Sequence, residues 1–118
     1  MNNRLVQDYL QDILDAIDKA ESFMAGSDYT AFRGDEKTCF AVIRTLEIIG
    51  EAAKKVPYSL RRQHPGIPWK SLAGMRDKLI HGYFGVSTEV VWKTVTEDLP
   101  TLRNQMVDLL RQVKQREG

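Results

Sequence analysis

Apolar residues recur at steps of three and four along most of the chain, the spacing that gathers them on one face of an α-helix. Leu5, Tyr9, Ile13, Ile17, Ala20 and Met24 form the first such stripe and predict an amphipathic helix from about residue 3 to 25. Gly26-Ser27-Asp28 interrupts it. Asp35, following Gly34, suits the N-cap of a second helix. That helix carries Val42, Leu46, Ile49, Ala53 and Val56 and stops near Pro57. SLRRQ (59–63) predicts a short helical turn, closed by the His64-Pro65-Gly66 breaker. Pro68 suits the first turn of a further helix over WKSLAGMRDKLI (69–80), and Gly82 should end it. Ser87 caps the last helix, whose seam is Trp92, Val95, Leu99, Leu102, Met106, Leu109 and Val113. Pro100 falls inside that seam and removes a backbone donor, so a kink or a split is expected there. Strand alternation is not found. The pattern predicts an all-α single domain over 1–118, a bundle of four long helices plus a short one, with the C-terminal helix kinked near Pro100.

Composition narrows the function classes. A chain of 118 residues is one domain and buries a modest share of its surface, so association with a second copy is plausible. Cys39 is the only cysteine, which excludes an intrachain disulfide and a cysteine-built metal site. The opening MNNRLVQDYLQDILDAID has neither a signal-peptide core nor a membrane-spanning run. The expectation is a cytoplasmic protein without a membrane partner. Net charge is only +1, but its distribution is uneven. Residues 1–30 carry two basic against six acidic side chains, and residues 31–85 carry ten against five. A basic field over the middle of the chain fits an anionic partner, although chance scatter of charge would look the same.

The basic stretch contains RDKLIHGYFG (76–85). Histidine moves a proton readily near neutral pH. Arginine presents a fork of donors that matches phosphate oxygens. Together His81 and Arg76 suit metal-independent RNA cleavage. The histidine would handle the proton of the 2′-hydroxyl or of the leaving oxygen, and the arginine the charge on the phosphoryl group. A 2′,3′-cyclic phosphate end would result. On a regular helix five residues turn about 500°, leaving Arg76 and His81 about 140° apart. They converge only where the helix ends or loosens near Leu79 to His81, and Gly82 favours that. Asp77, four residues before His81, could orient the imidazole. Cleavage needs both a proton acceptor and a donor, yet the chain has only His64 and His81. His64 sits in a turn. A two-fold dimer would instead bring two copies of Arg76 and His81 into one cleft. The bland reading is a helix-terminal histidine, a surface ion pair and a packed tyrosine.

Glu47 and Glu51 share a helix face. One of them, Glu51 beside Gly50 in preference, could orient Arg76 or His81; an ion pair with Lys54 or Lys55 is the plainer alternative. Lacking a nearby histidine or third carboxylate, they make a poor metal site, and no metal or cofactor is expected. Arg61, Arg62 and Lys70 could contact phosphates or simply be solvated. Trp69 and Trp92 could stack bases, but core or interface anchoring is the commoner use.

Three stretches, AVIRTLEIIGEAAKK (41–55), IPWKSLAGMRDKLIHGYFGV (67–86) and VWKTVTEDLPTL (91–102), together resemble the HepT family of the HEPN superfamily. The resemblance runs in order through most of residues 35–110, while the first helix matches only in character. It implies a HEPN-type antiparallel bundle. It also implies a toxin paired with a minimal nucleotidyltransferase antitoxin, MNT, and RNA as the target. The family motif R-x4-H-x-Y falls on Arg76, His81 and Tyr83, position by position. The resemblance further implies a homodimer with the motif at its interface. AMP would be transferred onto Tyr83 by MNT, so ATP enters only through that partner. Such an AMP phosphate would occupy the anion site and repel RNA. The alternative is a non-catalytic helical dimer that binds a nucleotide or RNA, or a docking subunit for a nucleotidyltransferase. It predicts affinity that His81→Ala barely alters and no cyclic phosphate ends.

Overall fold

A computed structural model describes the backbone of residues 4–81 and 87–117 and the side chains of residues 4–75 and 87–116. Among them every regular element is helical. The elements are α1 (Val6–Met24), α2 (Tyr29–Gly34), α3 (Glu36–Lys55), α4 (Tyr58–Gln63), α5 (Trp69–His81), α6 (Thr88–Lys93), a π turn (Thr94–Asp98) and α7 (Leu99–Glu117). The four long helices of the sequence pattern are α1, α3, α5 and the continuous run from α6 through α7. The predicted short helix is α4. A second short helix, α2, is additional.

Helix starts follow local chemistry. The Leu5 N–H donates to Asp8 Oδ2 at 2.9 Å, so a first-turn carboxylate closes α1 at its start. Asp35 caps α3: its Oδ1 accepts from the Thr38 N–H at 3.1 Å and its Oδ2 from the Thr38 hydroxyl at 2.6 Å. The Thr38 hydroxyl and then its backbone N–H hold the Asp35 carboxyl below its ordinary value of 3.8. A depressed carboxyl stabilises the fold above its unfolded pKa, and that share disappears as pH falls through the folded value. Asp35→Ala should therefore lower the melting temperature near neutral pH. In scans at successively lower pH the gap from wild type should close below 3.8; a gap independent of pH would refute the ionised cap.

Packing of α3 organises the bundle. It lies against α1 on one side and α5 on the other, while α7 covers α1. Arg4, Tyr9 and Asp12 of the chain start share a groove with Ile48 to Lys55 of α3, so α1 and α3 run antiparallel. Arg103 of α7 meets Asp18 of α1 at 2.7 Å, which sets α7 antiparallel to α1 as well. The seam of α3 predicted by spacing is fully buried, from Val42 to Val56. So is that of α7 from Val95 to Val113, with Trp92 half-buried at its head. In α1, Ile13, Ile17, Ala20 and Met24 are buried and Tyr9 is half-buried. Leu5 lies outside the helix at 50 % exposure. Leu10, Leu14 and Ala16 are buried too, because α1 must satisfy neighbours on two flanks.

Pro100 does not split the last helix. Its ring would strike the carbonyl four residues earlier and it has no N–H to give. The chain widens instead into the π turn just before it, and the Leu99 N–H bonds the Thr94 carbonyl five residues back. The hydroxyls of Thr94 and Thr96 bond the Val90 and Trp92 carbonyls, each at 2.8 Å. Cys39 is buried with its thiol on the Phe32 carbonyl at 3.1 Å. Burial, then the nearby Asp35 and Glu36, raises its pKa, which makes it a packing residue rather than a nucleophile.

Candidate functional site on α5

α5 is held firmly at its start. The Trp69 indole is 7 % exposed and its Nε1–H donates to the His64 carbonyl at 3.0 Å. Its backbone N–H bonds the Ile67 carbonyl at 2.8 Å. Gln105 of α7 donates to the Gly66 carbonyl at 2.9 Å, tying the same loop to the last helix. Arg61 secures the neighbouring end of α3. Its guanidinium donates to the carbonyls of Val56, Ala53 and Lys54 at 2.9, 2.9 and 3.0 Å.

These contacts decide between the alternatives open for Arg61 and for the tryptophans. Arg61 is not a phosphate contact: its donors are committed to carbonyls at a helix C-terminus, where a cation belongs. Arg61→Ala should cost about 1–2 kcal/mol of stability, seen as a fall of several degrees in melting temperature. RNA affinity should stay unchanged; weakened RNA binding at unchanged stability would overturn this role. Neither tryptophan is a free platform for bases. Trp69 is a core anchor, and Trp92 packs against Tyr29 and Phe32 with ring centroids 5.9 and 5.5 Å away. Arg62 is exposed and lies over the Tyr58 ring at 5.1 Å, and Lys70 is exposed on α5.

Arg76, Asp77 and His81 all lie on the backbone of α5, which stays helical through His81. Positions 76 and 81 are therefore about 140° apart around one axis. The earlier loosening that would bring them together within one chain is not seen before His81. The side chains of Arg76, Asp77 and His81, and all of Tyr83, lie outside the described residues.

One groove borders α5 and a second lies between the chain start and α3. The larger, about 930 Å³, separates α5 from the last helix. Leu46, Leu72, Met75, Val91, Leu99 and Leu102 give it an apolar lining, and the exposed Lys70, Glu97 and Asp98 also line it. The smaller, about 460 Å³, lies between the chain start and the end of α3 and is lined by Glu51, Lys54 and Lys55 with Arg4, Tyr9 and Asp12. Glu47 pairs with Arg44 at 3.1 Å on the same helix. Leu46 shares the larger groove with Leu72 and Met75, which places the middle of α3 beside the part of α5 leading into Arg76. Among the described residues no group of three or more His, Cys, Asp or Glu side chains could hold a metal ion. No helix there is long and apolar enough to cross a membrane.

Comparison with known proteins bears on this region. The model of the family described as "Ribonuclease HepT-like" matches residues 13–109, which include Arg76 to Tyr83. A protein of Thermococcus cleftensis named "Probable ribonuclease HepT" is 53% identical over 103 residues, covering 87% of this chain and 94% of its own. A "Putative RNase" of Methanocaldococcus jannaschii is 40% identical over 116 residues, covering 98% of this chain and 100% of its own. Another of that description, from Caldanaerobacter subterraneus subsp. tengcongensis, is 41% identical over 106 residues, with 90% and 95% covered. No solved structure matches the chain.

Proposed function

Because this chain belongs to the ribonuclease HepT-like family, we propose that it is an endoribonuclease toxin that cleaves RNA without a metal, using Arg76 and His81. The observation that carries the reading is the family match itself. It spans Arg76, His81 and Tyr83, the first two on the backbone of a helix anchored at its start by Trp69. In the reaction the 2′-oxygen attacks phosphorus and the bond to the 5′-oxygen breaks, leaving a 2′,3′-cyclic phosphate and a free 5′-hydroxyl. Arg76 binds the phosphoryl oxygens as their charge grows. His81 carries the proton, accepting it from the 2′-hydroxyl or supplying it to the leaving oxygen.

Two such proton tasks and one motif histidine per chain favour a homodimer in which both subunits furnish one cleft. The 140° separation along α5 supports the same arrangement, since a partner's helix can supply the group that one helix turns away. Asp77 stands one helical turn before His81 and would orient its imidazole. One of the α3 carboxylates, Glu51 in preference to Glu47, would orient Arg76 or His81. Tyr83 is the proposed acceptor of AMP from an MNT-type nucleotidyltransferase, which uses ATP and also silences the toxin by complex formation. An AMP phosphate beside Arg76 would occupy the substrate's place.

The test separates cleavage from binding. The purified chain is incubated with RNA in excess chelator, and RNA binding is measured in parallel for wild type and His81→Ala. Cleavage by wild type with binding preserved but cleavage lost in the variant is the expected result. Tight binding by both without any cleavage would favour the non-catalytic module instead.

A further inference from the structure

The helix α2 grips the chain just downstream of the motif. Asp28 caps it by accepting from the Ala31 N–H at 2.8 Å, and Phe32 is its buried residue. The Tyr29 hydroxyl shares a hydrogen bond of 3.2 Å with the hydroxyl of Thr88, the first residue of α6. The Tyr29 ring meets the Trp92 indole edge-on at 5.9 Å, and the Arg33 guanidinium lies 5.9 Å from the centre of the same ring. Phe32 also packs tilted against that indole, with ring centroids 5.5 Å apart. Two aromatic side chains of α2 thus converge on one residue of α6. Thr88 follows Tyr83 by five positions and His81 by seven along the chain.

We infer that Tyr29, seated against Trp92, is a positioning residue. Its hydrogen bond to Thr88 fixes the downstream end of the motif segment as Trp69 fixes the upstream helix. Stability does not require this bond. Tyr29 and Thr88 are only half-buried, and α6 reaches the core through Val91 and Trp92. Loss of one neutral hydrogen bond should therefore free the motif segment while leaving the bundle folded. The catalytic consequence rests on the RNA cleavage proposed above; the anchoring does not.

The test uses Tyr29→Phe, Thr88→Val, Thr88→Ser and the Tyr29→Phe/Thr88→Val pair in the intact chain. Readouts are kcat and KM for RNA cleavage, melting temperature, and amide exchange across residues 82–90. Tyr29→Phe and Thr88→Val should each lower kcat about fivefold, the scale of one hydrogen bond, with KM unchanged. The double variant should be no worse than either single one. Thr88→Ser keeps the hydroxyl and should match wild type. Exchange in 82–90 should speed up in the three variants that lose the bond and not in Thr88→Ser. Unchanged kcat and exchange would overturn the inference. So would a Thr88→Ser variant as impaired as Thr88→Val, or a loss that tracks melting temperature. If wild type cleaves no RNA, the functional reading falls and the exchange comparison still decides the anchoring, faster exchange supporting it and equal exchange refuting it.

Discussion

His81→Ala is expected to reduce RNA cleavage about 10²–10⁴-fold, the usual worth of a positioned general acid or base. Arg76→Ala should lose about 10²–10³-fold, as when one charge-stabilising donor is removed from a phosphoryl or acyl site. Neither change should disturb folding, because each removes a polar side chain and no apolar one. Melting temperatures within a degree or two of wild type would therefore accompany the loss. The two variants should also differ in kind. Removing the arginine takes away a phosphate contact and should weaken RNA binding more steeply at low salt. Removing the histidine should leave binding intact. Tyr83→Phe keeps the ring and deletes only the acceptor oxygen; it should cleave nearly as wild type yet take no AMP from the antitoxin. If both Arg76→Ala and His81→Ala cleave like wild type, the assignment of the motif fails.

The second large effect concerns the scaffold. Ile49 is completely buried in α3, the helix that contacts both α1 and α5. Ile49→Ala removes three carbons from a closed site and leaves a cavity, costing about 2–5 kcal/mol. Domains of this size have only about 5–15 kcal/mol in total, so the melting temperature should drop by about 10 °C or more. Phe40 on the same helix is 54 % exposed, and Phe40→Ala should move stability by no more than about 0.5 kcal/mol. Thermal scans of the two variants side by side measure the contrast. Equal, small shifts would mean that α3 is not the centre of the bundle.

Much of the fold can be read from local signals. Asp35 and Ser87 announce their helices because capping depends on residues three positions away. The burial of Val42 to Val56 and of Val95 to Val113 follows from spacing alone. α2 escapes this reading because six residues give too little period, with Phe32 as its single buried side chain; the Asp28 cap before it was the available cue. Pro100 tells that the helix must yield but not how, and the π turn that accommodates it keeps Val95 and Leu99 buried. The role of Arg61 was hidden for a different reason. Its partners lie five to eight residues earlier, on carbonyls that come within reach only once α4 folds back across the end of α3. For the site, the string Arg76, His81 and Tyr83 is plain in the sequence, whereas the proposed meeting of the first two across subunits would be a matter of assembly that no local pattern encodes.

The most direct measurement is the chemistry of the RNA ends left by the purified chain in excess chelator. The account predicts fragments ending in 2′,3′-cyclic phosphate with free 5′-hydroxyl partners, and none of them from His81→Ala. Fragments ending in 3′-hydroxyl groups, a requirement for divalent metal, or the same yield from the variant would contradict it.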